Sequence, residues 1–305
     1  MKDNITLLTK FGFAFVIMVL ISGFVFNFES LISHKTYGEE SKYKVYALEL
    51  PDNLSFAGEK IPLQSPDLRE RLDRELLVNT YWQSNMMLLL KRANKYFPIL
   101  EQILEEEGIP SDFKYLAVIE SGLANVRSPK GASGFWQIMR TTGREMGLEV
   151  NNNVDERYHL EMATHVACQY LKKAKNKLGS WTLAAAAYNR GINGIQKKLD
   201  LQQADSYYDL YLGSETSRYM FRILAIKEIM ESPERYGFIF EEKDLYQQIP
   251  TRKVPLDTAI TNLSRFAQQM KIDYNQLKLH NPWLLQNHLN NKSRKYYEIR
   301  LPLMP

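Results

Sequence analysis

Three patterns of hydrophobic and polar positions follow one another along this chain. The first is an uncharged apolar run of 18 residues from Phe11 to Phe28, with Lys2 and Lys10 before it. Such a run is typical of a short transmembrane helix or a signal peptide, and it predicts export of the residues that follow. We favour an uncleaved anchor over residues 1–32, because no small-residue cleavage motif follows the run. A cleaved signal peptide is the alternative.

The second pattern is helical periodicity over residues 66–236, where no segment alternates over a length useful for a strand. Pro66 suits the first turn of a helix, Pro98 is predicted to begin another helix, and Gly108 is predicted to end it. Residues 33–65 are more polar and contain scattered Gly and Pro, which predicts a linker. The sequence therefore indicates an all-helical domain that follows a tether.

The third pattern begins after residue 236 and mixes the two periodicities. Residues 237–305 contain helically spaced Leu263, Phe266 and Met270, and a strand-like run from Tyr296 to Leu301 closes the region. This combination predicts a small α/β module. The fold class predicted for the whole chain is mainly α, with this module at the C-terminal side.

The net charge and the numbers of cysteine and histidine residues argue against several classes of function. A net charge of +4 suits an anionic surface such as a cell wall or a membrane, but it is too weak and dispersed to predict binding to nucleic acid. Cys168 is the single cysteine, which excludes an intrachain disulfide and a cysteine-based zinc cluster. His159 and His165 are six residues apart and lie on different faces of a helix, unlike the ligands of a metalloprotease. We therefore expect neither a metal nor an organic cofactor.

One carboxylate stands at the predicted end of a helix. Ser111 is predicted to cap this helix at its start, and Gly122 is a suitable left-handed residue at its end. Glu120 would then lie in the last turn, where the helix dipole disfavours negative charge and favours the protonated carboxyl. A protonated carboxylic acid in a cleft is what cleavage of a sugar polymer requires.

Glu120 is followed by three further motifs that are rich in glycine, amide and aromatic residues. In order, the four motifs are Glu120-Ser121, Gly134-Phe135-Trp136-Gln137-Ile138-Met139, Ala187-Tyr188-Asn189-Arg190-Gly191 and Glu215-Thr216-Ser217-Arg218-Tyr219. With this order and spacing, residues 85–232 resemble the catalytic domain of the lytic transglycosylase family, which has the goose-type lysozyme fold. Arg140 stands where the family commonly has Pro, just outside the motif.

The resemblance implies a reaction and a set of site residues. It implies that Glu120 is the catalytic acid and then the base, as a peptidoglycan strand is cut between N-acetylmuramic acid and N-acetylglucosamine with formation of a 1,6-anhydro ring. It also implies a lysozyme-like all-helical domain over residues 66–236. The substrate-binding residues that the resemblance implies are Ser121, Gln137, Met139, Tyr188, Asn189, Glu215 and Tyr219.

The C-terminal module resembles a degenerate lysin motif, a unit that binds N-acetylglucosamine chains. Lys278-Leu279-His280-Asn281-Pro282 and the closing strand carry this likeness, but Pro255-Leu256-Asp257-Thr258 stands in place of the usual Gly-Asp-Thr start. Glycan binding and a purely packing or docking role both remain open for this module.

Two competing functions remain open at this point. A muramidase on the same fold would deliver water to the anomeric carbon, and a second carboxylate near Glu120 would favour it; Asp155 is a weak candidate because it suits a helix N-cap better. A catalytically inactive wall-binding scaffold is the other alternative. For the active enzyme, the expected place is the periplasmic face of the inner membrane, or the periplasm if the signal is cleaved. The expected partners are peptidoglycan strands, the membrane and cell-wall synthesis or division proteins.

Overall fold

The structure is a computed structural model that describes residues 45–303. The predicted membrane segment within residues 1–32 lies outside the described residues. Within the part that the structure describes, no helix combines the length and the apolar character needed to cross a membrane.

A short hairpin precedes the first helix and packs onto the helical core. Its strands, β1 (Ser55–Phe56) and β2 (Glu59–Lys60), are antiparallel and joined by a turn in which Gly58 has a φ of 77°. Phe56 and Ile61 are fully buried in the core. The prediction of a linker up to residue 65 is therefore wrong for this part, because its apolar side chains cover the core instead of facing solvent.

Two long helices follow the hairpin, α1 (Pro66–Tyr81) and α2 (Gln83–Glu106), and Trp82 separates them. Pro98 lies inside α2 and does not begin a helix, so that prediction is wrong. The buried positions of α2 continue with helical spacing on both sides of the proline, and this packing holds the helix together despite the missing N–H group.

The remaining helices of this part surround one hydrophobic core. α1 packs on the last long helix, and α2 packs on the helix that follows Tyr158. The short helix that ends at Ser121 is buried among them. These helices are α3 (Lys114–Ser121), α4 (Arg140–Glu145), α5 (Leu160–Leu178), α6 (Trp181–Arg190), α7 (Ile192–Gln202) and α8 (Ser214–Glu231).

The C-terminal module has a second hydrophobic core. Strands β3 (Thr251–Leu256) and β4 (Tyr297–Pro302) pair antiparallel, with Thr251 opposite Pro302 and Leu256 opposite Tyr297. Two short helices, α9 (Leu263–Gln269) and α10 (Tyr274–His280), complete it. The helix and the closing strand agree with the predicted α/β module, whereas β3 lies in a segment where the sequence predicted no strand.

The module is attached to the helical part by buried and charged contacts. Val154, from the loop before α5, is buried in the core of the module. Lys295 forms ion pairs with Glu149 at 2.9 Å and with Glu156 at 2.5 Å. Arg300 on β4 pairs with Glu161 on α5 at 2.5 Å. These contacts leave a cleft between the module and α2.

Candidate active site

Helix α3 places Glu120 in its last turn, as the sequence predicted. Gly122 ends the helix with a φ of 62°, and its carbonyl oxygen accepts a hydrogen bond of 2.8 Å from Nη1 of Arg92. The predicted start is different, because Ser111 begins a 3₁₀ turn and makes no side-chain capping bond. The end of the helix is therefore set by glycine and by an arginine from α2.

The carboxyl of Glu120 is surrounded by protein although the residue keeps some exposure to solvent. The hydroxyl of Tyr219 donates a hydrogen bond to its Oε1. Burial raises the pKa of Glu120, and the negative charge of Glu215 raises it further; the Tyr219 hydrogen bond and Arg222 act in the opposite direction. The net result is a raised pKa, which favours the protonated form that a general acid needs.

Two tyrosines adjoin this carboxyl, of which Tyr219 is buried and Tyr188 partly buried. Burial raises the pKa of both Tyr188 and Tyr219 well above the usual value, and the charge of Glu120 adds to the shift in each. Both phenols are therefore protonated donors. The Tyr188 hydroxyl donates to the carbonyl oxygen of Trp136 at 2.8 Å, which ties α6 to the glycine-rich segment.

A small cavity opens beside Tyr188 and is lined by three of the other predicted residues. It has a volume of about 290 Å³, and Gln137, Met139 and Asn189 line it. Nε2 of Gln137 donates to the carbonyl oxygens of Val126 at 3.0 Å and Gly134 at 2.8 Å, so its amide oxygen is the group left to accept from a ligand. The Met139 side chain is 43% exposed, which makes it part of the cavity wall and not of the core.

Asn189 and Glu215 are joined across the gap between α6 and α8. Nδ2 of Asn189 donates to Oε1 of Glu215 at 3.1 Å, and Oδ1 of Asn189 accepts from the Thr216 hydroxyl at 2.8 Å. The Glu215 residue itself is exposed. This polar chain places a second carboxylate close enough to Glu120 to influence its pKa.

Ser121 stands apart from the other predicted residues. Its hydroxyl donates to the carbonyl oxygen of Ala117 at 3.1 Å, a local bond within α3. The structure thus groups Tyr188, Glu215 and Tyr219 around Glu120, with Asn189 attached through Glu215. Gln137 and Met139 lie at the neighbouring cavity.

Arg157 is a residue of this region that the sequence analysis missed. It is buried, and its Nη1 donates to the carbonyl oxygens of Gly131 at 2.9 Å and Ile138 at 3.0 Å, which fixes both ends of the glycine-rich segment. Asp155 holds the guanidinium through two further bonds, of 2.9 and 2.7 Å. In the sequence, only Asp155, predicted as an N-cap, pointed to this region. The side-chain oxygen of Asp155 does accept a hydrogen bond from the backbone N–H of Arg157.

The backbone conformation and packing of this segment explain why the second motif begins with glycine. Gly134 has a φ of 79°, and a Cβ at this position would meet the carbonyl oxygen of Arg157 at 2.0 Å. Phe135 and Trp136 are buried, and the Trp136 Nε1 donates to the Thr164 hydroxyl at 2.8 Å. These two rings therefore anchor the segment and are not available for stacking on a sugar.

His159, which caps the start of α5, and His165 and Cys168 within it take structural positions. His159 lies 3.3 Å from Glu161, and His165 lies 2.8 Å from Glu107. Across residues 45–303, no three His, Cys, Asp or Glu side chains are grouped as metal ligands would be. The Cys168 thiol is buried, which raises its pKa to about 12 and makes it a poor nucleophile.

Two regions of the chain match models of known protein families. Residues 98–210 match the family described as "Transglycosylase SLT domain", and residues 252–304 match "Soluble lytic transglycosylase C-terminal LysM-like domain". Two curated relatives, each named "Membrane-bound lytic murein transglycosylase D", come from Escherichia coli strains K12 and O6:H1. Each is 26% identical over 263 residues, which is 80% of this chain and 56% of the relative. The chain thus spans little more than half the length of these relatives.

A solved structure, an inactive mutant of the lytic transglycosylase Slt from Pseudomonas aeruginosa, is 20% identical to this chain. The match covers 50% of this chain and 26% of the solved chain, with a TM-score of 0.38.

The family resemblance predicted from the four motifs is confirmed by the family matches. The chain carries a transglycosylase SLT domain followed by a soluble lytic transglycosylase C-terminal LysM-like domain.

Proposed function

We propose that this protein is a peptidoglycan lytic transglycosylase in which Glu120 is the catalytic acid and base. The observation that carries the proposal is the carboxyl of Glu120 itself. It lies within the region matched to the SLT domain, burial raises its pKa, and a protonated tyrosine donates to it. Such a carboxyl retains a proton at a pH where an ordinary glutamate has lost it.

In the first step, the proton of Glu120 passes to the glycosidic oxygen between N-acetylmuramic acid and N-acetylglucosamine. The bond from the anomeric carbon to this oxygen breaks, and N-acetylglucosamine leaves with the new hydroxyl. Positive charge develops on the muramic acid ring, while Glu120 becomes a carboxylate. The Tyr219 hydroxyl and Arg222 stabilise that carboxylate, since both lower its pKa.

In the second step, the Glu120 carboxylate takes the proton from the 6-hydroxyl of the same muramic acid. The oxygen of this hydroxyl forms a bond with the anomeric carbon and closes a 1,6-anhydro ring. No water is consumed, and Glu120 returns to its protonated state. Because the substrate supplies the nucleophile, one carboxyl serves both steps, where most glycosidases use two.

Hydrolysis by the same site is the second candidate, and Glu215 is the observation that favours it. Its charge reaches Glu120, so it could activate a water on the far side of the sugar. Asp155, the carboxylate considered from the sequence, is less suited, because both its oxygens are engaged by the buried Arg157. The mass of the products separates the two reactions.

The rest of the chain fits the same substrate. Gln137, Met139 and Asn189 line a cavity where an N-acetyl or hydroxyl group of the glycan can bind. Tyr188 holds the wall of this cavity, and Ser121 stabilises the end of α3. The LysM-like module is proposed to hold N-acetylglucosamine units of the strand. With the predicted anchor and the membrane-bound relatives, we place the enzyme at the periplasmic face of the inner membrane, where cell-wall synthesis or division proteins are its expected partners.

The test is Glu120→Gln, which keeps the shape of the side chain and removes its acid. We expect the variant to bind peptidoglycan and to lose cleavage by at least a factor of about 1,000, since both chemical steps need the carboxyl. The matched control is Glu105→Gln at an exposed position of α2, which should cleave like the wild type. Cleavage by Glu120→Gln at the wild-type rate would refute the assignment, and no cleavage by either the wild type or the control would favour a scaffold.

A further inference from the structure

A cleft between α2 and the C-terminal module has no role in the reaction described above. It consists of two adjoining cavities with volumes of about 710 and 330 Å³. Lys95, Tyr96 and Asn125 line both cavities from the helical part, and Leu279 and Pro282 line both from the module. A ligand in this cleft would therefore touch both parts of the protein.

The larger cavity is lined by cations and by no carboxylate. Its basic residues are Arg92, Lys95 and Lys278. Within residues 45–303, none of the three forms a salt bridge; Arg92 and Lys278 donate to backbone carbonyls, and the Lys95 ammonium lies 5.2 Å from the ring centroid of Tyr96. Three cations in one concave site, without acidic partners, attract an anionic ligand.

His280 provides a second indication of positive charge in the cleft. It lines the smaller cavity, where its neighbours include Lys95, Arg300 and Glu161. Burial lowers the pKa of His280, and the charges of Lys95 and Arg300 lower it further. Glu161 also lines the smaller cavity and pairs with Arg300 at 2.5 Å, so the charge of Arg300 is offset there, whereas Lys95 forms no salt bridge within the described residues.

The cleft begins where the catalytic helix ends. Leu123, Ala124 and Asn125 line the larger cavity, and they come three to five residues after Glu120 in the chain. Five residues span at most about 18 Å, so Asn125 lies within that distance of Glu120. An extended peptide of a few residues, attached to the sugar at the site of cleavage, covers the same distance. Arg92 lines the cavity and also bonds Gly122, the residue that ends the catalytic helix.

We propose that this cleft binds the carboxylated peptide carried by N-acetylmuramic acid, with Lys95 and Lys278 as the groups that meet its carboxylates. This inference rests on the proposed function, because it assigns a place to a second part of the same substrate. The glycan runs past Glu120, and its peptide turns into the cleft towards the module. The module then contributes to peptide recognition through Lys278 as well as to glycan binding.

The experiment compares two substrates and two variants of the full chain. The substrates are purified peptidoglycan strands with their peptides, and the same strands after an amidase has removed the peptides. Lys95→Met keeps the length of the side chain and removes its charge. The matched control is Lys173→Met, at an exposed position of α5 outside the cleft. We expect Lys95→Met to raise KM for peptide-bearing strands about three- to fivefold, with kcat unchanged, as loss of one partly exposed charge pair would do.

Peptide-free strands should show the same KM with Lys95→Met as with the wild type, and Lys95→Arg should restore the wild-type KM for peptide-bearing strands. An equal rise of KM for both substrates, or no rise for either, would overturn the inference while the proposed function stands. Absence of anhydro products from both substrates with wild-type protein would instead refute the proposed function.

A binding measurement separates recognition from chemistry. Muropeptides and the corresponding disaccharides without peptide are titrated into the Glu120→Gln protein with and without the Lys95→Met change. We expect the ligand with its peptide to bind the intact cleft more tightly than the ligand without it. Lys95→Met should reduce this difference in affinity about threefold. Equal binding of both ligands to the intact cleft would contradict it.

Discussion

At the scale of residues, the state of Glu120 depends on a balance among three neighbours. Burial and the charge of Glu215 favour the protonated acid, whereas the Tyr219 hydroxyl and Arg222 favour the carboxylate. A residue that acts first as acid and then as base needs both influences. The neighbours can be changed one at a time, which makes the balance testable.

Two substitutions should move the pH profile of cleavage in opposite directions. Activity requires protonated Glu120, so kcat/KM falls as the pH rises through its pKa. Glu215→Gln removes a charge that raises this pKa, and the alkaline limb should shift to lower pH. Tyr219→Phe removes a hydrogen bond that lowers it, and the alkaline limb should shift to higher pH. The measurement is kcat/KM against pH for both variants. A shift of the alkaline limb in the same direction for the two variants would contradict this balance.

Glu120 should also lower the stability of the folded protein near neutral pH. Its pKa is raised in the folded state, so the folded protein binds the proton more tightly than the unfolded chain does, and stability is lost as pH rises above the unfolded pKa of about 4.3. We expect Glu120→Gln to raise the Tm at pH 8 and to leave it nearly unchanged at pH 4. The exposed Glu105→Gln should change neither value. A lower Tm for Glu120→Gln at pH 8 would show that the carboxylate stabilises the fold.

At the scale of elements, the segment from Gly131 to Met139 shows what the sequence could and could not predict. Its motif and its place near Glu120 could be recognised because they are local in the sequence. The role of Arg157 could not, since its bonds to Gly131 and Ile138 join residues 26 and 19 positions apart. Tyr188 is similar, because its partner Trp136 is 52 positions away.

Gly134 and Gly131 form a matched pair for testing this segment. Both have positive φ, of 79° and 87°, but a Cβ would collide with the Arg157 carbonyl only at Gly134 and would meet nothing within 4 Å at Gly131. Gly131→Ala should cost about 1 kcal/mol of unfolding free energy, from its backbone conformation alone. Gly134→Ala should cost about 3 kcal/mol or more and should reduce cleavage as well. Chemical denaturation measures both costs, and equal costs would show that the close approach to Arg157 does not matter.

Some ends of helices and strands could be predicted from local sequence signals, and others could not. The end of α3 at Gly122 was predicted correctly, because a glycine C-cap is a local signal. Pro98 was misjudged, since packing on both sides keeps α2 continuous through it. The β1–β2 hairpin was missed because its strands have two residues each, too few to show alternation.

At the scale of the whole molecule, charged contacts contribute to the attachment of the module, together with the buried Val154 and backbone hydrogen bonds such as that from Asp155 N–H to the Trp283 carbonyl oxygen. Lys295 pairs with Glu149 and with Glu156, whose side chain is 3% exposed, so its removal would leave a buried carboxylate without its cation. We expect Lys295→Met to lower the unfolding free energy by about 1–3 kcal/mol and to speed proteolysis between the two parts. Lys253→Met is the control, because its pair with Glu298 is exposed and should contribute less than about 1 kcal/mol. Equal losses in the two variants would show that the Lys295 pairs do not hold the module.

The mainly helical character of the chain and its small C-terminal module with strands could be predicted from the sequence, but the cleft between the two parts could not. The helical periodicity and the closing strand are local patterns. The cleft needs Lys95 from α2 and Lys278 from α10 to face one space, and only tertiary packing brings them together. The sequence therefore pointed to Glu120, to which we assign the chemistry, and not to the surface that we assign to the peptide of the substrate.

In the proposed reaction, Glu120 cuts peptidoglycan without consuming water. The most direct test is the mass of the soluble products that the wild-type protein releases from purified peptidoglycan, before and after treatment with borohydride. We expect muropeptides that are lighter than the hydrolysis products by one water and resistant to reduction, since the 1,6-anhydro ring has no free reducing end. Full-mass products that borohydride reduces would contradict it and would establish hydrolysis at the same site.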